Sequence, residues 1–138
     1  MPNTQAVGVA YSDPEFTTCY ASQEIGYSAA AQGAVTQLTS KSTGVTLNTS
    51  AGRITMNAAA LGAGVAVSFV LTNSSISIND TIIVNVSSNT TGSALGAYTT
   101  YVSYLAAGSA LITLRNLTAA TSYSEAVIIN FSIIHGAS

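Results

Sequence analysis

The sequence predicts an all-β domain, an antiparallel sandwich or barrel, and three observations carry that expectation. After residue 34, apolar and polar residues alternate with a period of two. The alternating runs are rich in Val, Ile, Thr, Tyr and Phe, the residues that fit a pleated, half-buried surface. The runs recur at a spacing of about ten residues, with Gly, Ser and Asn clusters between them that read as turns.

Taken in order, eight strands are expected, at residues 34–39, 44–48, 53–56, 65–73, 81–87, 97–105, 110–116 and 125–135. In the fourth, Val65, Val67, Phe69 and Leu71 alternate with Ala66, Ser68, Val70 and Thr72, so one face is apolar. In the fifth, Ile82, Val84 and Val86 alternate with Ile83, Asn85 and Ser87 in the same way. The sixth sets Tyr98, Thr100, Val102 and Tyr104 against Thr99, Tyr101, Ser103 and Leu105, with aromatics on both faces. Ala106-Ala107-Gly108-Ser109 then reads as the tight link of a hairpin. The eighth strand is apolar on much of both faces, as a central or doubly covered strand would be. Between the third and fourth strands, Ala58-Ala59-Ala60-Leu61 favours a helical turn, but Gly62 and Gly64 stop it, and a loop is expected.

Residues 1–33 differ in kind. They hold both prolines, Asp13, Glu15 and Glu24 among the acids, and Tyr11, Phe16, Tyr20 and Tyr27, yet no clean alternation. Large rings gain free energy only when buried. This stretch is expected to be either an arm that packs on a neighbouring subunit or partner, or an extra strand folded back on the sandwich of residues 34–138.

Composition narrows the function. Only eight of 138 residues carry a formal charge, three basic and five acidic, against roughly a quarter in ordinary soluble proteins. Three basic residues cannot neutralise a run of phosphates or grip anionic lipid, so neither nucleic acid nor membrane is expected as a partner. A mean hydropathy of +0.44 argues against disorder. The longest apolar run, residues 58–67, is far shorter than the roughly 18 to 20 a transmembrane helix needs. The first five residues read as no secretory signal. Cys19 stands alone, so packing rather than disulfides must hold the fold. Asn-x-Ser/Thr triplets begin at Asn48, Asn73, Asn79, Asn85, Asn89, Asn116 and Asn130, which a Ser/Thr-rich chain produces by chance.

Residues able to do chemistry are few. His135 is the only histidine, and it lacks the orienting acid and nucleophile that a catalytic base requires nearby in sequence. One His and one Cys give no zinc spacing, and Cys19 has no basic neighbour to activate it. Asp13, Glu15 and Glu24 lack the repeated acidic loop of a calcium site. Asp80 and Glu125 are the remaining candidates for a glycosidase pair. Asp80, in a turn, is better read as bonding nearby backbone, and Glu125, Arg53 and Arg115 as isolated ion pairs or interface contacts. The scattered glycines Gly44, Gly52, Gly62, Gly64, Gly92, Gly96 and Gly108 read as turn residues and form no phosphate-binding cluster. No enzyme, metal or cofactor is expected.

Several strings in order carry a family resemblance. They are Thr36-Gln37-Leu38-Thr39-Ser40-Lys41-Ser42-Thr43-Gly44-Val45-Thr46-Leu47-Asn48, Gly52-Arg53-Ile54-Thr55-Met56-Asn57, Val67-Ser68-Phe69 with Leu71-Thr72-Asn73-Ser74, and Ser124-Glu125-Ala126-Val127-Ile128-Ile129-Asn130-Phe131. Over residues 34–134 the chain resembles the capsid decoration, or cement, proteins of tailed phages. The resemblance implies a jelly-roll-like β-sandwich bound in many copies to the outer capsid surface of the virion, often as a dimer or trimer, made in the host cytoplasm, without catalysis or cofactor. Its partners would be the major capsid protein and itself. Tyr11, Phe16, Tyr20 and Tyr27 are expected to supply interface anchors, being the large apolar groups outside the strand pattern. The alternative is a receptor- or glycan-binding module of a phage head or tail fibre, for which aromatics such as Tyr123 should stand exposed at loop tips.

Overall fold

A computed structural model describes residues 17–91 and 96–136. All eight expected strands are present: β1 Gln32–Thr36, β2 Val45–Thr46, β3 Ala51–Thr55, β4 Ala66–Thr72, β5 Thr81–Asn89, β6 Tyr98–Ala106, β7 Ser109–Asn116 and β8 Val127–Ile134. One 3-10 turn, Ala29–Ala31, precedes β1. Among the described residues no helix is long and apolar enough to cross a membrane.

The strands form two four-stranded sheets, β1-β3-β8-β5 and β2-β4-β7-β6, packed face to face as a sandwich. The expectation of wholly antiparallel sheets needs correction. Each sheet carries one parallel edge pair, β1 beside β3 and β2 beside β4, while the other four pairings are antiparallel. Short edge strands tolerate this because they contribute few ladder bonds; β2 is two residues long.

The inward rows of both sheets make one core. Ile54, Phe69, Leu71, Ile112, Leu114, Val127, Ile129 and Ile133 are fully or almost fully buried, with Met56 and Phe131 beside them. The odd-numbered residues of β8 point inward, as the alternation requires, and β8 is central in its sheet. Its outer face is not doubly covered: Asn130 and Ile134 are exposed.

One glycine shapes this core and corrects the reading of turn glycines. Gly52 lies inside β3, level with Gly33 of β1 and Phe131 of β8. A Cβ on Gly52 would sit 2.7 Å from both Leu47 Cδ2 and Phe131 Cε1, so its hydrogen makes room for those side chains. Gly108 fits the turn reading. It closes the β6–β7 hairpin at φ +77°, a backbone state that side-chain-bearing residues resist.

Two β-bulges reset the alternation, between Val86 and Ser88 in β5 and between Val102 and Tyr104 in β6. The second has a visible result. Upstream, Tyr98, Thr100 and Val102 pair with Asn116, Leu114 and Ile112 on the inner face, but Tyr104 then pairs with outward-facing Leu111. Tyr104 is 66% exposed, and Leu105 takes the inward place against Ala110. Simple alternation puts Tyr104 inside; one extra residue turns it out.

Two of the triplet asparagines are structural. Asn73 and Asn116 are fully buried. Asn116 Nδ2 donates to the Leu61 and Thr121 carbonyls at 3.0 and 2.9 Å, and its Oδ1 accepts from Thr118 N–H and Oγ1–H, tying the 117–122 loop to the sandwich end. Neither can carry a glycan in the folded chain.

Candidate functional site

The outer face of the β1-β3-β8-β5 sheet is built from the residues that alternation turns away from the core. Arg53, Asn130 and Asn85 lie in register across β3, β8 and β5, and Ala51, Ser132 and Ile83 form the next row. Ile83 and Ile134 are 52% and 55% exposed. The N-terminal segment meets this face at Tyr27, whose hydroxyl donates to the Ile133 carbonyl. Gln32 Nε2 donates to the Tyr27 carbonyl at 2.9 Å, which fixes the approach to β1.

Tyr27 separates two grooves. One, of about 530 Å³, is lined by Gln32, Arg53, Ser87, Asn130 and Ser132. The other, of about 550 Å³, has Ile83, Ser132 and Ile134 along the sheet, Ile25 and Gly26 as a wall, and His135 at one end. Upstream of Tyr27, Ile25 and Gly26 still border the second groove, while every described residue from Thr17 to Gly26 is exposed and none hydrogen-bonds to the sandwich.

Of the four expected anchors, Tyr11 and Phe16 lie outside the described residues. Tyr20 is 93% exposed, and Tyr27 is half-buried on the sheet. Ile25, 87% exposed, belongs with them but was not singled out, because one isoleucine in a stretch without period gives no signal. On the opposite sheet Tyr101 and Tyr104 are exposed beside Val70, over a row of hydroxyls in which Ser68 and Ser103 each meet Thr113 Oγ1 at 2.8 Å. The sequence places Tyr101 there; the bulge adds Tyr104.

The candidate chemical groups are dispersed. Asp80 accepts from Ser77 N–H at 2.7 Å, Ser77 Oγ–H at 2.9 Å and Gly136 N–H at 3.1 Å, and lies 3.2 Å from His135 Nδ1. The turn bond to Ser77 is the one its sequence position suggests, while His135, at the end of β8, does have an acid beside it. The Ser77 amide above all, with its hydroxyl, the Gly136 amide and His135, holds the Asp80 carboxyl down at about 2 despite desolvation. Ser77 is bonded to Asp80 and not to His135, so no nucleophile–base pair is formed.

Glu125 precedes β8, at the other end of that strand from His135. Eight strand residues separate the Asp80 and Glu125 regions by roughly 25 Å, far beyond the roughly 5–10 Å of a glycosidase pair. Glu125 is buried beside Lys41 and Tyr98, and its carboxylate accepts from the Thr91 hydroxyl at 2.7 Å. Lys41, the only lysine, is buried and donates from Nζ to the carbonyls of Asn57 and Glu125, the latter at 2.6 Å. Burial lowers the Lys41 pKa, with Glu125 opposing; burial first and Glu125 second push the Tyr98 hydroxyl up.

Among the described residues, no three His, Cys, Asp or Glu side chains come together as metal ligands. Glu24 is exposed, whereas Asp13 and Glu15 lie outside the described residues. Tyr123 is not an exposed loop tip: it bonds Leu61 through both backbone groups and packs edge-on to Tyr98 with centroids 6.1 Å apart. No family model, curated protein or solved structure matches the chain.

Proposed function

We propose that this chain is a structural virion protein that binds the outer surface of a phage capsid and stabilises the shell across subunit seams, without catalysis. The observation that carries the reading is a sandwich with very few charges whose outer faces and N-terminal segment leave Tyr20, Ile25, Ile83, Tyr104 and Ile134 uncovered. Large apolar groups left in water on one small domain mark surfaces meant for other protein. A domain that binds only the assembled shell stabilises it by mass action, and many weak copies add.

The strings that resemble decoration proteins run through β1 to β4 and β8, so the resemblance covers both sheets and not one local motif. The jelly-roll-like topology it implies asks for antiparallel neighbours throughout. With two parallel edge pairs, support for the proposal comes from the sandwich and its surface instead. The receptor- or glycan-binding alternative loses its residue-level expectation, since Tyr123 is packed against Tyr98.

The test is attachment of purified protein to capsids lacking it. The full chain is expected to decorate them, and a chain starting at Tyr27, which keeps β1 and the Tyr27 contact, to attach poorly. Equal decoration by the shortened chain would overturn the role given to the segment. Binding of the full chain to cells or glycans but not to capsids would overturn the proposal.

A further inference from the structure

We infer that residues 17–24 of one copy lie along the outer face of the β1-β3-β8-β5 sheet of a second copy, and that the exchange is reciprocal. Each chain carries both halves of such a contact, open to water. The segment bears Tyr20, 93% exposed, and makes no hydrogen bond to its own sandwich. The sheet bears a groove of about 550 Å³ along Ile83 and Ile134, each half in water, with the chain's own Ile25 and Gly26 on one wall.

Charge selects the occupant. Glu24 is the only charged residue of the segment. Arg53 is the only formally charged residue in the outward rows of this sheet, and it lines the adjoining groove on the far side of Tyr27. Within one chain no ion contact joins Glu24 to Arg53. Between copies, an acid on the arm and a base on the receiving face are complementary, and two-fold symmetry forms both contacts at once. Eight arm residues and seven groove residues give about fifteen from each copy, fewer than the roughly 20 a side of a standard interface, which fits a micromolar contact.

This deepens the proposed function by naming what holds the segment, and it rests on that reading only for treating the segment as an arm. The experiment uses the purified full chain without capsids. By sedimentation at about 100 μM, where a micromolar interface is well populated, the unaltered chain is expected to be a dimer. Glu24→Arg alone and Arg53→Glu alone should each weaken the dimer about tenfold or more. Mixing the two variants should restore it, since both contacts then join opposite charges. Ile83→Ser with Ile134→Ser should give a monomer with unchanged circular dichroism. A monomeric unaltered chain would overturn the inference, as would a dimer indifferent to all four substitutions or a mixture no tighter than its parts. Dimers that fail to decorate capsids, or monomers that decorate them, separate this inference from the capsid reading.

Discussion

Asp80 and Lys41 show how a chain with so few charges uses them. Asp80, held at about 2 by the Ser77 amide and its other donors, has a folded pKa below its unfolded value of about 3.9. Its contribution to stability is therefore complete above that unfolded value and disappears as pH falls through about 2. Thermal melts from pH 5 to pH 2 should fall more steeply for the unaltered chain than for Asp80→Asn. Lys41 behaves oppositely to a surface lysine: burial lowers its pKa, so the unfolded chain binds the proton more tightly. That group's contribution grows as pH rises toward its ordinary range of about 10. Replacing it removes the donor of the Asn57 and Glu125 carbonyls and the cation beside the Glu125 carboxylate, which keeps its bond from the Thr91 hydroxyl. Lys41→Met is expected to cost about 3 kcal/mol, read as a lowered urea midpoint. The sequence carries no sign of this burial, because Ser40-Lys41-Ser42 falls in a polar stretch between two expected strands. Nor could it show the His135–Asp80 contact, which joins residues 55 positions apart.

At the scale of the element, the β6 bulge makes the sharpest prediction. With unbroken alternation Tyr104 would be a core residue and Leu105 a surface one; the bulge reverses both. Tyr104→Ala is therefore expected to change stability by less than about 0.5 kcal/mol, and Leu105→Ala to lower it by about 2 kcal/mol. Denaturant unfolding of the two variants decides between the registers. In β3, Gly52→Ala should cost roughly 1–3 kcal/mol by driving a methyl into Leu47 and Phe131. All eight strands were legible because Val67, Phe69 and Leu71, or Val127, Ile129 and Ile133, repeat the period that burial on one face imposes. Strand direction was not legible at β1 and β2, since a short run such as Val45–Thr46 fits a parallel or an antiparallel edge equally well. The bulges were hidden because an inserted residue leaves composition unchanged and shifts only the phase. The candidate surface was legible in part: Tyr20 and Tyr27 stand out as aromatics without a period, but the groove beside Tyr27 is made with Ile83 and Ile134, which are distant in sequence.

For the molecule as a whole, the shortage of charge governs how it should attach. If neutral and apolar contacts dominate, decoration of capsids should persist when salt is raised, because screening has few ion pairs to act on. Loss of decoration in moderate salt would contradict that expectation. The placement of the three basic residues has a further consequence, for digestion. Trypsin cleaves after Lys or Arg in chain it can draw out into its active site. Residues 1–40 contain neither. Lys41 is buried, Arg53 is in β3 between two neighbouring strands, and Arg115 is in β7 between two more. Each scissile bond is thus accessible only once the sandwich has opened, so the rate of tryptic cleavage should follow global unfolding. Core substitutions should speed digestion in proportion to the stability they remove, and loss of the exposed segment should leave the rate unchanged.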